Sequence, residues 1–143
     1  MKVLYDDGGR REAGYRGEAG DCAVRAIAIA TQLDYKQVYD DLNLLCKEEK
    51  ITKRRKSKSH SGSGVWRITY EKYLKDLGWK WVPTMFIGSG CKVHLSASEL
   101  PKGRLVTRLS KHLAAVVDGV LHDTHDCSRL GTRCVYGYFI KDV

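Results

Sequence analysis

The chain has 143 residues, 43% hydrophobic and 29% charged, the balance of an ordinary globular domain that buries about two thirds of its unfolded surface. It holds no apolar run of about 18 residues and no apolar N-terminal stretch, which argues against a bilayer-spanning helix or signal peptide and leads to the expectation of one cytoplasmic domain without membrane contact. The formal net charge of +8 is concentrated rather than spread: Lys47 to Lys58 holds seven Lys or Arg against Glu48 and Glu49.

Residues 1 to 19 carry Gly8-Gly9, Gly14 and Gly17 among mixed charges and read as an early strand followed by loop. The stretch Gly20-Asp21-Cys22-Ala23-Val24-Arg25-Ala26-Ile27-Ala28-Ile29-Ala30 is a small-residue turn that feeds a helix ending near Thr31. That helix is apolar nearly all round apart from Arg25, so it belongs inside the protein. A thiol at its N-terminus faces unpaired backbone N–H groups and the positive end of the helix dipole, both of which favour thiolate. Cys22 is therefore a candidate nucleophile; the plainer reading of a lone cysteine here is a small buried core residue.

Asp34 as an N-cap, with Gln37 three residues on in a capping-box arrangement, opens a second helix. Tyr35, Val38, Tyr39, Leu42, Leu45 and Cys46 recur along it at helical spacing and give it one apolar face. From Lys50 to Gly64 the chain is basic and then Ser/Gly-rich, which predicts an exposed, mobile loop. Its cations Lys53, Arg54, Arg55, Lys56 and Lys58 are either a solvated linker or a handle for weak, non-specific contact with nucleic acid or an acidic partner. Trp66, Tyr70, Tyr73, Leu74 and Leu77 form a third helical stripe, closed by Gly78.

Beyond Gly78 short alternating segments take over: Trp79 to Val82, Cys91 to Leu95, Arg104 to Leu109, His112 to Val117, Val120 to Asp123 and Val135 to Ile140. Helices first and antiparallel strands second is the α+β pattern, here three helices on a small antiparallel sheet. Asp118-Gly119 between two apolar runs marks a two-residue hairpin loop, because a type I′ turn needs positive φ at both central positions. Counting outward, Val117 opposes Val120, Val116 opposes Leu121, Ala114 opposes Asp123 and His112 opposes His125. Alternation then puts His112, Ala114 and Val116 on one face with Leu121, Asp123 and His125, and makes Asp123 the diagonal neighbour of His112. His122 falls on the other face.

A nucleophilic thiol needs a base, and the base needs an acceptor that fixes its tautomer. Cys22, His112 and Asp123 form such a set if the His112 face of the sheet packs against the N-terminus of the Cys22 helix. With Asp21-Cys22 opening a central helix and the run from His112 to Asp123 on a later antiparallel sheet, the chain resembles the papain-like cysteine peptidase superfamily over roughly residues 15 to 140. The likeness is to its small leader-peptidase-like branch and to uncharacterised bacteriophage proteins. The resemblance implies a papain-like fold, Cys22 as nucleophile, His112 as general base, Asp123 as orienter and a peptide or protein substrate, with no cofactor. The family carries a Gln ahead of the cysteine as an oxyanion donor; here Arg16 stands at that position, with Glu18 nearer. The reaction class is acyl transfer, most plausibly peptide or isopeptide hydrolysis, with deamidation and transamidation using the same constellation.

Three other readings compete. The five cysteines, odd in number and irregularly spaced, are expected to stay reduced in a cytosolic chain. They still offer, as Cys91, Cys127 and Cys134 with His94, His122 and His125, a pool of soft zinc ligands without a paired Cys-x-x-Cys. His112, Asp123 and His125 satisfy the face rule for a catalytic metal but leave Cys22 unexplained, so no metal is assigned. The third reading is a peptidase-like binding module without turnover that holds nucleic acid or a host protein through its basic loop.

Overall fold

In a computed structural model, residues 1–17 and 19–141 are described. The chain opens with β1 (Val3–Tyr5) and then runs through three helices, α1 (Cys22–Thr31), α2 (Tyr35–Lys47) and α3 (Arg67–Asp76). Seven strands come after them: β2 (Trp79–Pro83), β3 (Val93–His94), β4 (Arg104–Leu109), β5 (His112–Val117), β6 (Val120–Asp123), β7 (Cys134–Val135) and β8 (Gly137–Lys141). Six of the strands form one sheet in the order β1-β6-β5-β4-β8-β2, and β3 pairs with β7 in a small second sheet. The α+β class is as expected. The sheet is antiparallel except at its edge, where β1 lies parallel to β6, because the N-terminus returns to the sheet before the helices begin. The segment read as one strand from Val135 divides at Tyr136, so that Cys134–Val135 pairs with β3 and Gly137–Lys141 with β4 and β2. Gly137 is required there, because a Cβ on it would clash with the Trp81 ring.

The hairpin register is the one counted from Asp118-Gly119: Val117 pairs with Val120 and Val116 with Leu121, and the two turn residues have φ of 48° and 80°. The side of the sheet that receives α1 is not the expected one. Leu113, Ala115 and Val117 join Val24, Ile27 and Ala28 of α1 in a core with Val106 and Phe139, whereas Ala114, Val116 and Leu121 lie under Leu95, Leu100, Cys127 and Val135 on the opposite face. The reason is visible in β5 itself: Leu113-Ala114-Ala115-Val116 is apolar without alternation and buried throughout, as in a strand covered on both faces. His112 meets α1 at the end of the strand instead, directly after the two-residue turn that joins β4 to β5.

Helix α1 is buried from Ala23 to Ala30, Arg25 included, and four small alanines let it lie close to the sheet. Its C-terminal carbonyls are held by Arg104 of β4, whose Nε donates to Ala30 O (2.9 Å) and whose Nη2 donates to Ile29 O (2.7 Å). A cation at that end complements the helix dipole and fixes the helix lengthwise, so the opposite end, with Cys22, is set against the ends of β5 and β6. Asp34 occupies the N-cap position of α2, but its side chain makes no capping hydrogen bond, so the capping box is not formed. Gly78 closes α3 with φ of 90° and donates its N–H to Lys75 O. No helix among the described residues is long and apolar enough to cross a membrane.

Two cysteines depart from the expectation of five free thiols: Cys91 and Cys134 form a disulfide. The antiparallel pairing of β3 with β7 brings their Cα atoms to 5.8 Å, within bridging range, across a sequence separation of 43. The bond also removes both from the zinc-ligand pool, and His94 is turned to Glu99 at 3.1 Å. The stretch from Lys50 to Gly64 is only partly the mobile loop expected. Residues 51–58 are exposed, but Ser59 and Ser61 anchor the rest of the stretch: the Ser59 N–H donates to Glu49, and the buried Ser61 hydroxyl donates to Tyr39 O at 2.6 Å.

Candidate active site

Cys22 is the first residue of α1, where the leading N–H groups have no partner inside the helix. Asp21, at the N-cap position, does not cap it. Its fully buried carboxylate instead gathers three side chains, accepting from Arg25, from the Tyr35 hydroxyl (2.5 Å) and from Arg10 (3.4 Å). This network ties α1 to α2 and to the glycine-rich loop and fixes the turn that presents the thiol. Arg25 also reaches forward, its Nη2 lying 3.5 Å from Asp123 Oδ1. The same guanidinium therefore links Asp21, the residue before Cys22, to Asp123 at the end of β6.

His112 Nε2 lies 2.6 Å from Asp123 Oδ2, the diagonal contact expected from the register. Asp123 Oδ1 accepts the Thr124 N–H at 2.7 Å, so both carboxylate oxygens are engaged. With Nε2 given to the acid, Nδ1 is the ring nitrogen left for sulfur. Both side chains are largely shielded, 12% exposed for His112 and 3% for Asp123.

The electrostatics follow from this arrangement. Burial works against a charged His112, but hydrogen bonds with Asp123, Cys127 and Cys22 outweigh it and raise the ring's pKa to about 11. Burial works against a Cys22 thiolate too, yet the His112 ring, the Leu113 N–H and the positive charges of His112 and Arg25 hold the thiol below its ordinary range. Asp123 is held low despite burial, chiefly by His112. All three shifts run in the direction that favours a thiolate beside an imidazolium braced by a carboxylate. Cys46 makes the contrast: burial, with the Glu49 carboxylate, pushes its thiol up against a hydrogen bond with Ser59.

The structure thus assembles Cys22, His112 and Asp123 at one end of the sheet, reached past the strand ends and not across the His112 face. Arg16 stands on the wall of an adjoining cleft, exposed, and no hydrogen bond brings its guanidinium to the thiol. Glu18 lies outside the described residues. The cleft has a volume of about 850 Å³, and Arg10, Arg11, Arg16, Arg25, Thr124 and His125 are among the residues that line it. Of the basic-loop residues, Arg55 lies over the Trp66 ring at 4.6 Å and Lys58 donates to Lys47 O at 2.6 Å. Lys53, Arg54 and Lys56 are exposed, and none of the five reaches the thiol site.

Sequence reasoning placed Cys127 only in the zinc-ligand pool and missed its position beside the site, buried with its Sγ 3.5 Å from Asp123 Oδ2, and it missed the roles of Asp21 and Arg25. A single buried Arg in an Ala/Ile helix, four residues after an Asp, is the signal that could have revealed the last two. His125 stands against His112, ring centroids 5.4 Å apart, and the ligand atoms of His112, Asp123 and His125 all lie within 4.8 Å of one another. Comparison of the chain with known protein families, curated proteins and solved structures found no match.

Proposed function

We propose that the protein is a thiol-dependent acyl-transfer enzyme of papain-like type, most plausibly a cysteine peptidase or isopeptidase, with Cys22 as nucleophile, His112 as acid–base residue and Asp123 as its orienter. What supports this reading is the convergence of the three side chains: Cys22 at the start of α1 is in hydrogen-bonding reach of the His112 ring, which is braced on Asp123 at 2.6 Å, and the directions of the Cys22 and His112 shifts agree with it. The Cys22 thiolate attacks the carbonyl carbon, and the His112 imidazolium gives its proton to the departing amine. The neutral ring then takes a proton from water, which attacks the thioester and returns the free thiolate. Asp123 keeps the ring oriented and stabilises its charged form throughout. The Cys22 N–H at the helix start is one donor for the developing oxyanion. A reduced Cys22 is part of this proposal, and so is a cytoplasmic location; Cys22 is free whether or not Cys91 and Cys134 are bonded.

The test needs no knowledge of the natural substrate. p-Nitrophenyl acetate should release p-nitrophenolate and leave one acetyl group on Cys22, found by peptide mass spectrometry, and His112→Ala should remove the reaction. Acetylation of another residue in place of Cys22, or unchanged acylation in His112→Ala, would contradict the assignment.

A second reading is favoured by one observation, the convergence of His112, Asp123 and His125. Two imidazoles and a carboxylate are a donor set that suits zinc, which would activate water with no role for Cys22. Ester hydrolysis that survives Cys22→Ala and disappears with a chelator would favour it over the thiol enzyme.

A further inference from the structure

Among the described residues, the cleft next to the thiol site carries more guanidinium than carboxylate. Arg10, Arg11, Arg16 and Arg25 line it against the carboxylates of Asp7 and Asp21, an excess of two positive charges among those residues. The inner pair is committed. Arg10 and Arg25 are held on the buried Asp21, Arg25 is shared with Asp123, and Arg10 also donates to the Gly17 and Arg16 carbonyls at 3.1 and 3.0 Å. Asp7 accepts the Gly9 and Arg11 N–H groups at 2.9 and 3.0 Å and so serves the loop backbone. The outer pair differs: Arg11 and Arg16 are exposed, and both stand on the cleft wall. The cleft reaches the thiol site through Thr124, whose N–H donates to Asp123, and through His125, whose ring stands 5.4 Å from that of His112.

We infer that this cleft selects acyl substrates bearing a carboxylate close to the scissile bond, that is, acidic peptides, with Arg11 and Arg16 as the residues that recognise the anion. The inference rests on the thiol reading and names the substrate class of that site. The physical basis is that a one-sign cleft concentrates ligands of the opposite sign, and that a guanidinium presents a planar fork matching a carboxylate. The inner arginines hold the walls in place, and the outer ones meet the ligand.

The probe is a pair of alkylating reagents of the same size that differ in charge, iodoacetate and iodoacetamide. Their rates are measured at Cys22 by mass spectrometry of the full chain near neutral pH. The ratio of the iodoacetate to the iodoacetamide rate reports anion preference at the thiol and cancels changes in thiol reactivity. In Arg11→Gln/Arg16→Gln the ratio should fall about two- to fivefold, the range expected for exposed ion pairs, and raising salt should shrink the wild-type preference. Lys92→Gln/Lys102→Gln, which removes the same charge from exposed positions outside the cleft, should leave it unchanged. An unchanged ratio in the arginine variant, or an equal fall in the lysine variant, would overturn the anion site while leaving the thiol enzyme standing. Slow reaction of Cys22 with both reagents would overturn the enzyme reading and this inference with it.

Discussion

Arg10 and Arg25 beside Cys22 and the cations between Lys47 and Lys58 carry the same kind of charge in very different surroundings. The first two are nearly shielded from solvent and locked onto Asp21, and Arg25 acts on both the Cys22 thiol and Asp123. Most of the others lie on exposed chain, one stacked on Trp66 and one turned to a helix-end carbonyl. What differs is confinement: a charge held in a low-dielectric site shifts its neighbours' protonation, whereas the same charge in water is screened within about 10 Å. The numerous charges of the basic stretch dominate the composition, and the few buried ones shape the chemistry.

The comparison breaks first if the buried set can be removed without consequence. Cys22→Ala is expected to abolish acyl transfer, and His112→Ala to lower it by about 10²–10⁴-fold, the usual span of acid–base catalysis, in steady-state ester hydrolysis. Asp123→Asn should cause a partial loss, because the ring keeps its place on the strand but loses the partner that sets its tautomer. Next in size is stability. Asp21→Asn leaves Arg10 and Arg25 buried without their counter-ion and is expected to cost about 3–5 kcal/mol in denaturant unfolding. Full stability in that variant would mean the network is incidental.

A pH series sharpens the same point. His112 is raised in the folded state from 6.5 to about 11, so its contribution to stability is complete below pH 6.5 and is lost as pH climbs toward 11. Asp123 is lowered from 3.8, so its contribution is present above that value and is lost on acidification. The stability advantage of the wild type over His112→Gln should therefore narrow between pH 6.5 and about 11. A constant gap would show that the ring is not charged in the folded protein. The smallest effect belongs to the exposed region. Replacing Lys53, Arg54 and Lys56 with Gln should move stability by no more than about 0.5 kcal/mol and leave ester hydrolysis unchanged. Any nucleic-acid binding they support should fade steeply with added salt.

Local signals carried the site further than the fold around it. The Cys22 helix, the Asp118-Gly119 turn and the His112–Asp123 diagonal were legible because each depends on a few neighbouring residues and on fixed periodicity. Which face of β5 receives α1 was not, since a strand apolar on both sides has no pattern that chooses between them. The Cys91–Cys134 bond and the parallel return of β1 depend on long-range pairing that leaves no local trace. Asp21 read only as part of the turn before the helix, and the structure commits it to Arg10, Arg25 and Tyr35.

The central claim is that, against burial, His112, the Leu113 N–H and Arg25 lower the pKa of one of the three free thiols, while burial leaves Cys46 the reverse. Site-resolved alkylation with iodoacetamide between pH 5 and 10 measures this directly. The account requires Cys22 to react fastest at neutral pH, with a rate that is already on its plateau below the ordinary thiol value of 9.0. Faster labelling of Cys46 or Cys127, or a Cys22 rate that rises only near pH 9.0, would contradict it.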